Sequence, residues 1–241
     1  MTTLFISDLH IEPGQPRVIQ QLLNFLKTEA VNADALYILG DLFESWVGDD
    51  DPEPEKHKII SALHVLSKEE RVPCYFMRGN RDFLAGEVFA DRSGCEILPD
   101  PTVIDIFGQP VLLMHGDTLC TDDTEYQTFR ALVRDPMWQQ EFLGTPLDHR
   151  QAMAAKARDA SRTHTSEKPQ EIMDVNDDTV RKSMTAHGVR TMIHGHTHRP
   201  AIHEFKLGGR PARRIVLGDW HSQGSVLRWS AKGLELAALP R

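Results

Sequence analysis

The sequence predicts an α/β fold of two β-sheets, interrupted late in the chain by a helical insertion. Three observations carry this. Short, continuous apolar runs alternate with helical patterns through the first half, which is how buried sheets joined by crossover helices read. The final quarter is rich in strands without intervening helices. Between them lies a segment, 121–187, that is helical in pattern throughout.

In order, Leu4-Phe5-Ile6 is the first buried strand. Pro16 suits a helix start, and Val18, Leu22, Leu23, Phe25 and Leu26 follow at helical spacing. Ala35–Leu39 is a second continuous apolar run. A helix over 54–70 carries Ile59, Ile60, Leu63, Val65 and Leu66, and Cys74–Met77 gives a third strand. Strand, helix, strand, helix, strand builds βαβ units on a buried sheet. After Pro101, Val103–Phe107 and Val111–Met114 read as a hairpin turning at Gly108-Gln109-Pro110. Met192-Ile193, Ile202–Phe205, Ile215–Leu217 and Val226–Trp229 complete a second sheet. In the insertion, Pro136, Pro146 and Pro169 punctuate, and Asn176 caps a helix ending at Gly188. We therefore expect a core over 1–120 and 188–241 and a helical cap over 121–187.

The 241 residues are 40% apolar and 26% charged, as in globular chains. Lys plus Arg number 27 and Asp plus Glu 35, a net charge of −8 that argues against non-specific nucleic-acid binding. The sparse cysteines, Cys74, Cys95 and Cys120, form no C-x-x-C and predict a reducing compartment. No apolar run approaches the roughly 20 residues that span a bilayer, and the first residues lack the basic start of a signal peptide. The expected location is the cytosol or a cytosolic membrane face.

Five polar clusters each follow a predicted strand. They are Asp8-Leu9-His10, Gly40-Asp41, Gly79-Asn80-Arg81-Asp82, His115-Gly116-Asp117 and His194-Gly195-His196-Thr197-His198. Ligand sites of α/β sheets gather beyond the carboxyl ends of strands, so all five can converge. Imidazoles mixed with carboxylates and one amide suit Mn²⁺, Fe or Zn²⁺. Asp8 and His10 are two apart and project to one side of an extended backbone, as do His196 and His198. Asp41, on the middle strand, is the natural bridge between two cations. Two metals about 3.5–4 Å apart clamp a phosphoryl oxygen and acidify a water. Taken singly, Gly-Asp and Gly-Asn are ordinary turns and Asp-x-His a capped turn. Their joint occurrence, with three histidines within five residues, favours the metal.

In this order the clusters resemble the calcineurin-like metallophosphoesterase superfamily, over 1–120 and 190–241. The resemblance implies a sandwich of two mixed β-sheets flanked by helices, with a dinuclear metal site. It implies Asp8, His10, Asp41 and His198 on one metal and Asp41, Asn80, His115 and His196 on the other. Catalytic roles would fall on Asp41, Asn80, Arg81 and His115. Where the superfamily usually has Gly-Asn-His-Glu or Gly-Asn-His-Asp, this chain has Gly79-Asn80-Arg81-Asp82. That histidine is the usual general acid or oxyanion stabiliser. Arg81 does not release a proton at ordinary pH but grips phosphate through its planar fork, which favours a leaving group needing little protonation.

Longer stretches narrow the match. Gly40–Glu44, Gly79–Leu84, His115–Thr121, 172–176 and His194–Pro200 are similar to the bacterial UDP-2,3-diacylglucosamine hydrolases of lipid A biosynthesis, nearly end to end. This resemblance implies splitting of the pyrophosphate of UDP-2,3-diacylglucosamine into UMP and 2,3-diacylglucosamine 1-phosphate. A metal-bound hydroxide would attack the α-phosphorus, supported by two Mn²⁺ per chain. It implies head-group contacts from Asn80, Arg81, Asp123, Ser161, Thr165, Lys168 and His196, with Thr165 where some relatives have Asn. It also implies peripheral residence on the cytoplasmic face of the inner membrane, with no nucleic acid and no obligate protein partner. A soluble metal-dependent phosphodiesterase or nucleotide pyrophosphatase would share every ligand and is the alternative.

The insertion offers Phe129, Leu132, Val133, Met137, Trp138, Phe142, Leu143 and Leu147, with bases at Arg130, Arg134, Arg150, Lys156, Arg158, Arg162 and Lys168. The apolar set either docks the cap on the core or receives acyl chains, and both can hold. The bases either face phosphate and lipid or form a solvated face. Trp46, Trp220 and Trp229 are expected to pack, and His57, His64 and His149 to be exposed on helices. Asp49-Asp50-Asp51 is expected to be a turn before Pro52. His221 follows a strand, so it could sit near the centre; Cys120, beside the His115 cluster, could reach the pocket but lacks an activating base.

Overall fold

The computed structural model describes residues 2–167, 174–221 and 223–240, with the side chains of 161–167 outside the description. Two mixed sheets face each other. The first runs β11 (Gly233–Leu239), β10 (Gly224–Ser230), β1 (Thr2–Ile6), β2 (Ala35–Leu39), β3 (Cys74–Met77), β4 (Glu96–Leu98). Its β1–β4 portion is parallel, and β10 and β11 continue antiparallel. The second runs β5 (Thr102–Ile106), β6 (Gln109–Leu113), β7 (Thr191–His194), β9 (Arg210–Val216), β8 (Ala201–Leu207). There β6, β7 and β9 are parallel and the outer pairs antiparallel. The expected two-sheet α/β architecture is what the chain adopts.

Alternation along each strand divides the core. Leu4 and Ile6 of β1 face α1 (Pro16–Thr28), α2 (Pro54–His64) and α3 (Glu87–Ser93), while Phe5 turns toward the other sheet. Between the sheets Phe5, Leu39 and Met77 meet Leu113, Ile193 and Ile215. Both α1 and α2 begin with proline in the first turn, where a missing N–H goes unused. The helix expected over 54–70 continues past α2 as a π-helical turn, Val65–Glu69.

The insertion supplies α4 (Thr124–Val133), α5 (Pro136–Leu143), α6 (Leu147–Glu167) and α7 (Asp177–Ala186). Asp123, Asp135 and Asn176 cap α4, α5 and α7 through side-chain oxygens. Val180 and Met184 of α7 pack on Leu112 and Met192, covering the outer face of the second sheet. Val133 and Phe142 are buried, with Trp138 stacked on Phe142 at 4.9 Å, whereas Met137 is 72% exposed and Phe129 48%. The apolar residues thus divide between docking and an outward face.

Four sequence readings need correction. Val226–Trp229, expected in the second sheet, lies in β10 of the first, antiparallel to β1. The hairpin turns at Phe107-Gly108 (φ 52° and 77°), and Gln109 and Pro110 pair within β6. Pairing with β7 starts only at Val111, so the absent N–H of Pro110 breaks no ladder. Asp49-Asp50-Asp51 is more than a turn. Asp49 accepts the amides of Gly86, Val88 and Phe89 at the start of α3, Asp50 holds Arg150 of α6, and Asp51 pairs with Lys56 of α2 at 2.6 Å. His57 is half-buried, whereas His64 and His149 are exposed and Trp46, Trp220 and Trp229 are buried as expected.

Candidate metal centre

The loops leaving β1, β2, β3, β6 and β7 open at one end of the sandwich, and the five polar clusters sit on them. Backbone bonds knit the loops together. The Asp8 amide donates to Gly40 O at 3.1 Å, that of His10 to Asp41 O at 3.0 Å, and that of Gly195 to His115 O at 2.8 Å. Asp8, His10, Asp41, His196 and His198 all have positive φ, between 50° and 68°. Among the described residues only Arg71 and Phe107 share this among non-glycines. Such strain gathers where a site demands a side-chain direction that ordinary backbone does not provide.

The side chains form two groups that meet on Asp41. In the first, His10 Nε2 lies 3.2 Å from His198 Nε2, 4.0 Å from Asp8 Oδ1 and 3.7 Å from Asp41 Oδ2. His198 Nε2 is 3.4 Å from Asp8 Oδ1. In the second, Asn80 Oδ1 lies 2.9 Å from both His115 Nε2 and His196 Nδ1, and His115 Nε2 is 3.7 Å from Asp41 Oδ1. The two oxygens of one carboxylate therefore face two different donor sets.

This geometry fits cations. His10 Nδ1 lies 2.7 Å from Glu44 Oε2 and donates to it, which leaves Nε2 as a lone pair aimed at further acceptors. His115 Nδ1 donates to Leu39 O at 2.9 Å, leaving Nε2 aimed at Asn80 Oδ1. Donor atoms 3–4 Å apart, each able to turn a lone pair inward once its proton is given up, have the spacing of a coordination shell with bonds of about 2.1 Å.

Residues 1–200 match the family model of calcineurin-like phosphoesterases. The chain belongs to the calcineurin-like phosphoesterase family. It is 56% identical over the full length of both chains to the UDP-2,3-diacylglucosamine hydrolase of Stenotrophomonas maltophilia strain K279a. It is 53% identical, over 99% of each chain, to that of Xanthomonas campestris pv. campestris strain ATCC 33913. Among solved structures, an archaeal phosphodiesterase superimposes with a TM-score of 0.51 at 14% identity, over 99% of this chain and 100% of that one. That last likeness is one of fold.

In this calcineurin-like phosphoesterase the supporting contacts are as ordered as the donor atoms. Asp82, fully buried, accepts the amides of Gly79 (2.8 Å), Asp41 (3.2 Å), Leu42 (2.7 Å) and Phe43 (3.3 Å), stapling two loops. Burial and the neighbouring Asp41 raise its pKa to about 6. Burial alone would lower His115, but Asp41, Asp117 and Asp8 outweigh it and lift the imidazole to about 9. Asp8 is also opposed by burial, yet the hydrogen bond and charge of His198 hold it well below the usual carboxylate range. His196, desolvated and beside His115, falls to about 4. Taken together, the carboxylates draw positive charge into the centre.

Other predicted residues fall elsewhere. Asp117 turns away and holds Tyr126 Oη (2.9 Å) and Arg130 Nε (2.7 Å) of α4. His194 also turns away. Its Nδ1 donates to Gly195 O, its Nε2 faces Arg214, and burial and that guanidinium lower it to about 3. Arg130, Arg134 and Arg150 are neither a solvated face nor directed at the centre, for Arg134 donates to Gly79 O and Arg150 to Val47 O. Arg81 donates its backbone N–H to Asp41 Oδ1 at 2.8 Å, and its Nε is buried without a hydrogen-bond partner, a donor suited to an anion. Asp123 accepts the Tyr126 amide, and the Tyr126 ring lies 5.9 Å from His196. Burial raises the Glu44 pKa, but His10 and Arg81 outweigh it, and Arg158 of α6 is near enough to help them lower it. The side chains of Ser161 and Thr165, and all of Lys168, lie outside the described residues.

Two residues given no role in the sequence reading reach the centre. Glu44 orients His10, and His221 stacks on His10 at 5.3 Å and lies 5.8 Å from His198. Asp41-Leu42-Phe43-Glu44 could have signalled the first, through a carboxylate following a ligand loop. The second is signalled by its place just after a strand, and it does sit at the centre. Cys120 is buried and pushed up to about 12 by that burial, in keeping with the expected lack of activation.

Proposed function

We propose that this chain hydrolyses UDP-2,3-diacylglucosamine to UMP and 2,3-diacylglucosamine 1-phosphate, a step of lipid A biosynthesis. The observation that carries the reading is its full-length likeness, insertion included, to relatives named for that hydrolysis. We assign Mn²⁺ as the metal, two per chain. Asp8, His10, Asp41 and His198 would hold one and Asp41, Asn80, His115 and His196 the other. When bound, the pair supplies a water acidic enough to attack at neutral pH and neutralises charge on phosphoryl oxygens.

The remaining work falls to the chain. Glu44 and the Leu39 carbonyl keep His10 and His115 in the tautomers that present Nε2. Arg81, with a buried donor to spare, holds the phosphate that departs, so no general acid is required of it. Asn80, His196 and Asp123 face the head group with Arg81, a set extended by Ser161, Thr165 and Lys168. Residues 121–187 act as a lid, anchored on the second sheet by α7. Phe129, Leu132, Met137 and Leu143, all exposed, receive acyl chains or rest on lipid. Residence is peripheral, on the cytoplasmic face of the inner membrane. Among the described residues no helix is long and apolar enough to cross a membrane.

The deciding assay is Mn²⁺-supported UMP release in detergent from UDP-2,3-diacylglucosamine, UDP-N-acetylglucosamine and an aryl phosphodiester. Rapid cleavage of the acylated compound alone is expected. Comparable rates on all three would overturn the substrate and favour a general phosphodiesterase.

Metal uptake should also release protons. The metal-free His115 has a pKa of about 9 and is protonated at pH 7, yet it must be neutral to bind metal. Affinity should therefore fall as pH drops below 9. Calorimetry at pH 7.5 in two buffers of different ionisation enthalpy should report net proton release on metal uptake. Identical heats in both buffers would refute this.

A further inference from the structure

At the opposite end of the first sheet, away from the metal loops, lies a surface cavity of about 480 Å³. It is lined by Ser67, Lys68, Arg71, Cys74, Gly94 and Cys95 among others. Cys74 opens β3, and Cys95 immediately precedes β4. The parallel register pairs Tyr75 with Glu96, so one step back Cys74 lies beside Cys95. Neighbouring strands are about 4.8 Å apart, within the 4.4–6.8 Å between Cα atoms that a disulfide tolerates. Both side chains belong to the helix-facing core; the Cys74 thiol donates to Val72 O at 3.3 Å and the Cys95 amide to Ser93 Oγ at 3.2 Å. The local backbone is irregular: the π-helical turn, Arg71 at φ 60° and Gly94 at φ 70° all border the cavity.

We propose that Cys74 and Cys95 form a peroxide-reactive dithiol site, reduced at rest and closed to a disulfide on oxidation. The chemistry is complete with a peroxide as the oxidant. The Cys95 thiolate attacks one peroxide oxygen, the O–O bond breaks, and Cys95 becomes a sulfenic acid. The sulfur of Cys74 then attacks that of Cys95, the S–O bond breaks, and the proton of Cys74 leaves with the hydroxyl as water. Two thiols and one hydrogen peroxide give one disulfide and two waters. The order follows from the surroundings. The neighbouring Cys74, Ser93 and Lys68 lower Cys95 against its burial, whereas Cys74 is raised. The cavity gives a small oxidant access to thiols that are otherwise buried.

The test treats the whole chain with hydrogen peroxide and maps its peptides without reduction, fragmenting them so that Cys95 is resolved from Cys120. The expected product is a Cys74–Cys95 link, reversed by a dithiol, formed while Cys120 is still a thiol and Met137 unoxidised. Cys74→Ser should let a sulfenic acid at position 95 be trapped by dimedone. Cys95→Ser should slow oxidation of Cys74 by about tenfold or more. Oxidation of Met137 or Cys120 while both thiols persist would overturn the proposal in the wild-type chain alone, whether or not the serine variants fold. So would an unchanged rate at Cys74 in Cys95→Ser.

Discussion

Asp41→Asn is expected to lower turnover by about 1,000-fold or more, roughly 4 kcal/mol of transition-state stabilisation. Asparagine keeps the volume and one carbonyl oxygen, so the amide of Arg81 retains its acceptor. What disappears is an anionic oxygen facing one donor set, and with it the shared edge between the two groups. Bound metal, measured by mass spectrometry of the dialysed protein, should fall below the wild-type stoichiometry. Stability should change little. The substitution removes the repulsion that raises Asp82 but also the attraction that raises His115, and these oppose each other. We expect a metal-free stability within about 1 kcal/mol of wild type by urea unfolding. Retained activity with full metal content would remove Asp41 from the bridge.

Gly40→Ala should be as damaging without removing a donor atom. Gly40 has a φ of 88°, and a Cβ there would lie 2.5 Å from His115 Nδ1 and 2.6 Å from Gly79 Cα. Neither neighbour can yield, since one is backbone and the other is tied to Leu39 O. The left-handed conformation costs alanine about 1 kcal/mol and overpacking about 1–3 kcal/mol more, so a loss of about 3 kcal/mol is expected. Activity should collapse as His115 is displaced. Gly108→Ala is the control. Its φ is 77° with nothing within 4 Å of the added Cβ, so only the conformational cost of about 1 kcal/mol applies, with activity kept. Equal losses in the two variants would show that contact at Gly40 does not matter.

The sequence carried more of the centre than of its surroundings. Asp8, His10, Asp41, Asn80, His115, His196 and His198 were legible as residues that come together, because each stands within a few residues of a strand end and so is carried to one end of the sandwich. The β1–β3 strands and the prolines that start α1 and α2 were legible for the same local reason. By contrast, β11 (Gly-Leu-Glu-Leu-Ala-Ala-Leu) is built from helix formers. It becomes a strand by pairing with β10 along its length. The short α3 and β4 had too few residues to show a period.

Side-chain direction was the larger gap. His194 and His196, two apart on one local pattern, part company. His196 takes its place by donating its backbone N–H to the carboxylate of Asp8, 188 residues away, while His194 is drawn to Arg214. Asp117 and Asp8 both follow strands, yet one ties down α4 and the other faces His198 in the candidate centre. Residue type and place after a strand end therefore determined which chemistry the chain can hold. Which donors face inward, which carboxylates clamp helices and what stacks on His10 was decided by the tertiary structure alone. Those choices are made by partners distant in sequence, whose positions no local propensity encodes.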